Sequence, residues 1–219
     1  MNVLEKVMLD IPAVMESLSQ KRPIFHLESD FQFALAWEIQ RFYPEYDVRL
    51  EVPFGFEKKG RIDIVVRNSG AVLPIELKYL KKKLLHTIDG EQFNLADGVH
   101  DMDMYSCMAD IERMESFCGQ LPDFDTGYVV WLTNDPAYWD KNYNSSYYKE
   151  FHAPDGSVKT GKMYFDKANP RTKKPPQICS LKHYKNAVTL NGSYHINWQD
   201  YSDLEVPKGI FKYAVVRIG

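Results

Sequence analysis

Residues 51–83, E-V-P-F-G-F-E-K-K-G-R-I-D-I-V-V-R-N-S-G-A-V-L-P-I-E-L-K-Y-L-K-K-K, constrain the fold of this chain more than any other stretch. Apolar runs lie around Val52, at 62–66 and at 72–80, separated by glycine-containing breaks at 55–60 and 68–70. The second break, Asn68-Ser69-Gly70, is a hairpin signal, because Asn and Gly tolerate the positive φ that a short turn needs. The pattern predicts three consecutive strands, and polar residues interrupt them. Asp63 breaks the second strand, and Glu76 and Lys78 break the third. On a strand, Glu76 and Lys78 share one face while Leu77 and Tyr79 take the other. Two neighbouring strands thus each place a carboxylate in apolar surroundings. Like charges buried together are costly unless protons or cations neutralise them. Lys78 can supply one positive charge and a divalent metal the rest.

Asp63, twelve intervening residues and then Glu76-Leu77-Lys78 form a pattern that resembles the PD-(D/E)xK nuclease signature, with Gly60-Arg61-Ile62-Asp63 in place of the usual Pro-Asp. The wider layout is also similar to small bacterial proteins of that superfamily. It comprises H-L-E-S-D-F-Q-F-A-L-A-W-E-I-Q from His26, then L-P-I-E-L-K-Y, A-D-I-E-R-M-E, G-Y-V-V-W-L-T-N-D and Y-H-I-N-W-Q-D-Y-S. The resemblance implies an α/β fold, a restriction-endonuclease-like α-β-β-β-α-β core with a mixed central sheet. It implies metal-dependent hydrolysis of nucleic acid, DNA in preference to RNA, in a bacterial cytoplasm. Asp63 and Glu76 would hold Mg²⁺, with Mn²⁺ able to substitute, and Lys78 would serve the attacking water. The third carboxylate is Glu28, which resembles the glutamate opening the first helix of the superfamily; Glu38 is the alternative, and otherwise a boundary residue paired with Arg41 or Lys81. Gln32 could support Glu28 from one turn on. Gln92 resembles the extra glutamine that follows the lysine in several branches. The alternative function is a nucleic-acid-binding or protein-interaction module that keeps the fold without cleavage.

Composition sets the outer bounds. The 219 residues suffice for one well-buried domain, and 44% hydrophobic with 26% charged residues is the balance of an ordinary globular chain. No run approaches the roughly 18 apolar residues of a membrane span, and residues 1–10 lack a signal-peptide pattern. Cys107, Cys118 and Cys179 are too scattered for a disulfide framework or a thiolate metal site. A net charge of −3 argues against retention on DNA by bulk charge alone, so contacts must be local. Cutting both strands of a duplex calls for two sites, which makes a homodimer the expected assembly.

The flanks read as follows. Residues 1–25 form an N-terminal helical lid, interrupted at Pro12; 26–135 carry the nuclease core; 136–219 add an aromatic and basic loop region and late strands to the same domain. A helix over 28–43, capped by Ser29 or Asp30, shows Phe31, Leu35, Ile39 and Phe42 as its apolar stripe. Lys81, Lys82 and Lys83 follow the site directly and suit phosphate contacts. Residues 86–99 are polar and broken, and His86 and His100 show no zinc-site spacing. A long helix follows over about 100–118, its Asp103, Asp110, Glu112 and Glu115 expected mainly outside. The run 127–133 is expected as a central strand covered on both faces. Tyr138, Trp139, Tyr143, Tyr147 and Tyr148 are able to stack on bases or to anchor a long loop. Lys159, Lys162, Lys167, Arg171, Lys173 and Lys174 supply positive charge nearby. Residues 194–198 and 211–218 are expected as strands, the last at an edge or in a second small sheet.

Overall fold

The computed structural model describes residues 8–54, 60–144, 146–165 and 187–219. Helix α1 spans Ile11–Ser19 and opens on Asp10, whose carboxylate accepts the Ala13 N–H at 3.1 Å. Pro12 lies in its first turn, where the missing N–H costs nothing, so it starts this helix and does not interrupt one. Ile11, Val14, Met15 and Leu18 are buried, together with Leu9, Ile24 and Phe25. Of the segment expected as a lid, the stretch from Leu9 to Phe25 thus contributes to a hydrophobic core, and residues 1–7 lie outside the described residues.

Helix α2 spans Glu28–Phe42, as the stripe predicts, although Phe42 stays exposed. Its N-cap is Leu27, which has no capping oxygen. Asp30, inside the first turn, accepts the His26 N–H at 2.9 Å and the Arg22 guanidinium at 2.8 Å. Strands β1 (Asp47–Phe54), β2 (Gly60–Asn68) and β3 (Ala71–Leu80) follow as an antiparallel meander. The β2–β3 turn is the two-residue loop Ser69-Gly70, with φ of +48° and +86°, the hand that matches strand twist.

A hairpin then covers part of the stretch read as a broken polar loop: β4 (Leu84–Ile88) pairs with β5 (Glu91–Leu95). Its turn, Asp89-Gly90, has φ of +50° and +87°, and Leu84, Phe93 and Leu95 bury into the core. Helix α3 spans His100–Cys118, and β6 spans Gly127–Thr133, buried at every residue. Strands β7 (Ser157–Tyr164) and β8 (Ala187–Ile196) form a separate ribbon, and β9 (Trp198–Asp203) and β10 (Ile210–Ile218) return to the main sheet.

The result is a mixed α/β fold with a central six-stranded sheet in the order β1-β2-β3-β6-β10-β9. Only β3 and β6 run parallel, joined through α3; every other pair is antiparallel. Strand β10 lies between β6 and β9, so the last strand is interior to the sheet and not at its edge. Its pattern explains why: Phe211, Tyr213, Ala214, Val216 and Ile218 are all buried, which two covered faces require. On one face, α1 and α2 enclose a core with Ile64, Leu73, Ile75, Leu77 and Val130. On the other, α3 and the β7–β8 ribbon enclose a second core with Val65, Val129, Trp131 and Val216. Among the described residues no helix is long and apolar enough to cross a membrane.

Candidate functional site

The two strands carrying the acidic pair do not stay together. Pairing of β2 with β3 ends at Ile64↔Ile75, whereas pairing of β1 with β2 continues to Phe54↔Gly60. At the parting point the β1–β2 ribbon rolls over. Leu50 and Ile64 pack into the first core, but Val52 and Ile62, two residues along each strand, pack into the second. Between them sits Glu51 with a φ of +52°, a conformation that costs a non-glycine residue about 1–2 kcal/mol.

The parting leaves β3 amides without strand partners, and buried N–H groups need acceptors. Carboxylates take the place of the missing strand. Asp63 Oδ2 accepts the Leu77 N–H at 2.7 Å, and Glu28 Oε2, at the start of α2, accepts the Tyr79 N–H at 2.9 Å. Gln32, one turn further along α2 and buried, donates from Nε2 to the Asp63 carbonyl at 2.7 Å and to Glu51 Oε1 at 2.9 Å. A single amide thereby ties α2 to the strained residue of β1 and to the backbone of Asp63.

Glu76 and Lys78 leave β3 on the opposite face, beneath α3. Glu76 is fully buried; one oxygen accepts from Arg113 Nη2, and the other, Oε1, has no hydrogen-bond partner. Lys78 Nζ lies 3.0 Å from Asp110 Oδ2, and Arg113 Nη2 lies 3.4 Å from Asp110 Oδ1. The Asp63 and Glu76 carboxyl groups are near enough for each to act on the other's titration. Four carboxyl groups, Glu28, Asp63, Glu76 and Asp110, thus share two cations, Lys78 and Arg113.

The electrostatics follow from burial and proximity. Burial raises the pKa of Asp63 against the opposing pull of the Leu77 amide and Lys78. Burial also raises that of Glu28, whose residue is exposed overall while its carboxyl end turns inward to Tyr79. Glu76 stands well above the ordinary carboxylate range, through burial first and the Asp110 charge second, with Arg113 opposing. For Lys78, burial works against its charge, but Asp110 and Glu28 outweigh it and push the pKa up, so the side chain is a firm cation.

Other expected residues fall elsewhere. Glu38 is buried among Arg41, Lys21 and Ser17, with Lys21 Nζ and Arg41 Nη2 each 2.6 Å from Oε1. Those contacts, Arg41 foremost, pull its pKa down to about 2. It is a boundary ion-pair residue, partnered by Arg41 as expected and by Lys21 in place of Lys81, whereas Glu28 turns its carboxyl to the Tyr79 amide of β3. Gln92 is exposed on β5 opposite Thr87 and is not drawn into the group. Lys82 lies 3.4 Å from Asp135, Lys81 lies over the Tyr79 ring, and Lys83 is exposed. Tyr138, Tyr147 and Tyr148 are buried in the second core, so these three anchor the loop; Trp139 and Tyr143 are half-buried. Lys167, Arg171, Lys173, Lys174 and Cys179 lie outside the described residues.

The acidic residues of α3 are engaged, not merely solvated on an outer side. Asp110 is buried against Lys78, Asp103 accepts from Tyr138, and Glu112 and Glu115 accept backbone N–H groups of β8. Asp110 and Arg113 are the residues that reading the strands alone misses. The spacing Asp103, Cys107, Asp110, Met114 holds the signal, since it continues the buried stripe of α3 along its flank. His100 is a second polar centre: Nε2 meets Asp135 at 2.7 Å and Nδ1 meets the Tyr143 hydroxyl at 3.0 Å, pinning the aromatic segment to α3.

Among the described residues no group of three or more His, Cys, Asp or Glu side chains stands ready to hold a metal ion. The carboxylates are turned toward β3 amides, Arg113 and Lys78. Comparison of the chain with protein-family models, with curated proteins and with solved structures finds no match.

Proposed function

We propose that this chain is a metal-dependent nuclease of the PD-(D/E)xK kind, hydrolysing phosphodiester bonds of nucleic acid, with DNA the favoured substrate. The observation that carries the reading is the gathering of Glu28, Asp63, Glu76 and Lys78 at the parting of β2 from β3. The order of helix, three antiparallel strands, helix and parallel strand supports it, with the β4–β5 hairpin inserted before α3, because the resemblance implies a core of that order.

Two observations favour a divalent cation here, which would have to draw the carboxylates away from their present partners. Glu76 Oε1 is a buried acceptor with no partner, and carboxyl groups outnumber the cations among them. Asp63 and Glu76 would hold Mg²⁺ or Mn²⁺, with Glu28 as a further ligand; all are oxygen donors, which suit hard cations. A cation there supplies neutralisation of phosphoryl charge and a more acidic bound water. The chain's own residues do the rest. Lys78, firmly charged, orients the attacking water and stabilises the charge that develops on the phosphate. Gln32 fixes the backbone of Asp63, and the apolar β3 neighbours Leu77 and Tyr79 keep the strand rigid beneath the reacting groups. Two copies acting together would cut both strands of a duplex.

A second reading draws on one specific observation. Arg113, Lys78 and the β3 amides already give each carboxylate a partner, as they would in a nucleic-acid-binding or interaction module that does not cleave. Calorimetric titration with Mn²⁺, followed by incubation with labelled single- and double-stranded DNA and RNA under Mg²⁺, Mn²⁺ or chelator, separates the two. The nuclease reading expects a bound cation that Asp63→Ala removes, and cleavage that chelator stops. Absence of both leaves the non-cleaving module.

A further inference from the structure

The ion pairs of α3 hold the two groups that catalysis requires. Glu76 is held by Arg113, and Lys78 is held by Asp110. We propose that Asp110 and Arg113 form a resting clamp on the metal site: Arg113 gives up Glu76 to an incoming divalent cation, falls back on Asp110, and so loosens Lys78 for the substrate phosphate. This inference rests on the nuclease reading and names how that site is regulated.

Three features carry it. Arg113 Nη2 already reaches both acceptors, Glu76 and, at 3.4 Å, Asp110 three residues earlier on the same helix, so the guanidinium has a second station in place. The present pairing is incomplete: Glu76 Oε1 and Arg113 Nε are both buried without hydrogen-bond partners, whereas a two-pronged Arg–carboxylate pair would satisfy both groups. The Arg113 side chain is 37% exposed while that of Glu76 is 0% exposed, so the cation can swing toward water and the carboxylate cannot follow. Removing one partner of a buried ion pair is strongly unfavourable when nothing replaces it. A divalent cation at Glu76 is such a replacement. Asp110 then exchanges part of its hold on Lys78 for Arg113, which it meets on its other oxygen.

The test is Mn²⁺ affinity by calorimetry, measured on wild type, Arg113→Met, Arg113→Lys and Asp110→Asn, with thermal melts to confirm folding. Removal of a unit charge a few ångströms from a cation site is worth well over tenfold even with strong dielectric screening, so Arg113→Met should bind Mn²⁺ at least about tenfold more tightly. Arg113→Lys, which keeps the competing charge, should stay near wild type. Asp110→Asn removes both the second station and a neighbouring negative charge and should weaken Mn²⁺, and the weakening should be smaller in the Arg113→Met background, where only the charge is lost. If Arg113→Met fails to melt cooperatively, Arg113→Gln carries the same expectation. Unchanged or weaker binding by the charge-removing variant, with wild type binding Mn²⁺, overturns the clamp and leaves the nuclease reading standing. No Mn²⁺ binding by wild type or variant up to millimolar concentration overturns both.

Discussion

Lys78 and Glu38 show how placement decides what a buried charged group does. Both are charged groups in buried surroundings, but Lys78 faces Asp110 and Glu28 where β3 has lost its neighbour, whereas Glu38 sits inside a closed ring of Lys21, Arg41 and Ser17. Lys78→Ala removes no metal ligand and takes away a neighbouring positive charge, so Mn²⁺ should bind at least as tightly as in wild type while the cleavage rate under saturating Mg²⁺ falls by about 10²- to 10⁴-fold. Equal rates for variant and wild type would take Lys78 out of the mechanism. Glu28→Gln should weaken Mn²⁺ and leave the fold intact, and Glu38→Gln should do the reverse. The pH dependence distinguishes them further. Glu38 has a folded pKa of about 2 against an ordinary 4.5, so the unfolded chain binds the proton more readily. Its stabilisation is therefore present above about pH 4.5 and is lost as pH falls toward 2. Water around the half-exposed Lys21 and Arg41 screens the effect, which leaves about 1–3 kcal/mol in acid-denaturation curves of wild type against Glu38→Gln. Curves that coincide from pH 5 to pH 2 would show that the ring does not stabilise the fold.

At the scale of elements, the site exists because two strands separate. The roll-over at Glu51 and Asp63 is held by the Gln32 amide, which links α2 to both strands of the ribbon. Gln32→Leu should leave the Asp63 carbonyl buried and unpaired, lowering stability by about 1–3 kcal/mol in denaturant melts and weakening Mn²⁺ through misplacement of Asp63. A variant with wild-type metal affinity would reduce Gln32 to a packing residue. Much of this layer can be read from the chain. The Ser69-Gly70 turn, the stripe of α2 as far as Ile39 and the unbroken apolar run of β6 all have local physical causes, and the structure has them where those causes point; the alternation of β2 breaks at Asp63, where Ile62 and Ile64 enter different cores. What stays hidden is what depends on a partner far away in sequence. Asp110 and Arg113 look like solvated helix residues until α3 is laid over β3. The interior position of β10 depends on β9 joining its far side. The β4–β5 hairpin is a different case, because Asp89-Gly90 between Leu84, Ile88, Phe93 and Leu95 is a strong local turn signal that the polar residues around it obscure.

For the whole molecule, the proposed site implies a link between cation and stability. Residues from α2, β2 and β3 converge there, with α3 closing over them, so the native arrangement exists only in the folded chain. A ligand that binds the folded state alone stabilises it by RT ln(1 + [L]/Kd), about 2.7 kcal/mol at a hundredfold excess over Kd. For a chain of this size each kcal/mol moves the melting temperature by about 2–4 °C, so saturating Mn²⁺ should raise it by roughly 5–11 °C over chelator. The charge imbalance among Glu28, Asp63, Glu76 and Asp110 gives the same sign, because repulsion carried by the metal-free protein is relieved on binding. Asp63→Ala should melt at one temperature with Mn²⁺ or chelator, and Lys78→Ala should keep the shift. Equal melting of wild type in Mn²⁺ and in chelator, at concentrations up to several millimolar, would show that no cation binds among these carboxylates, which would then serve β3 and α3 alone.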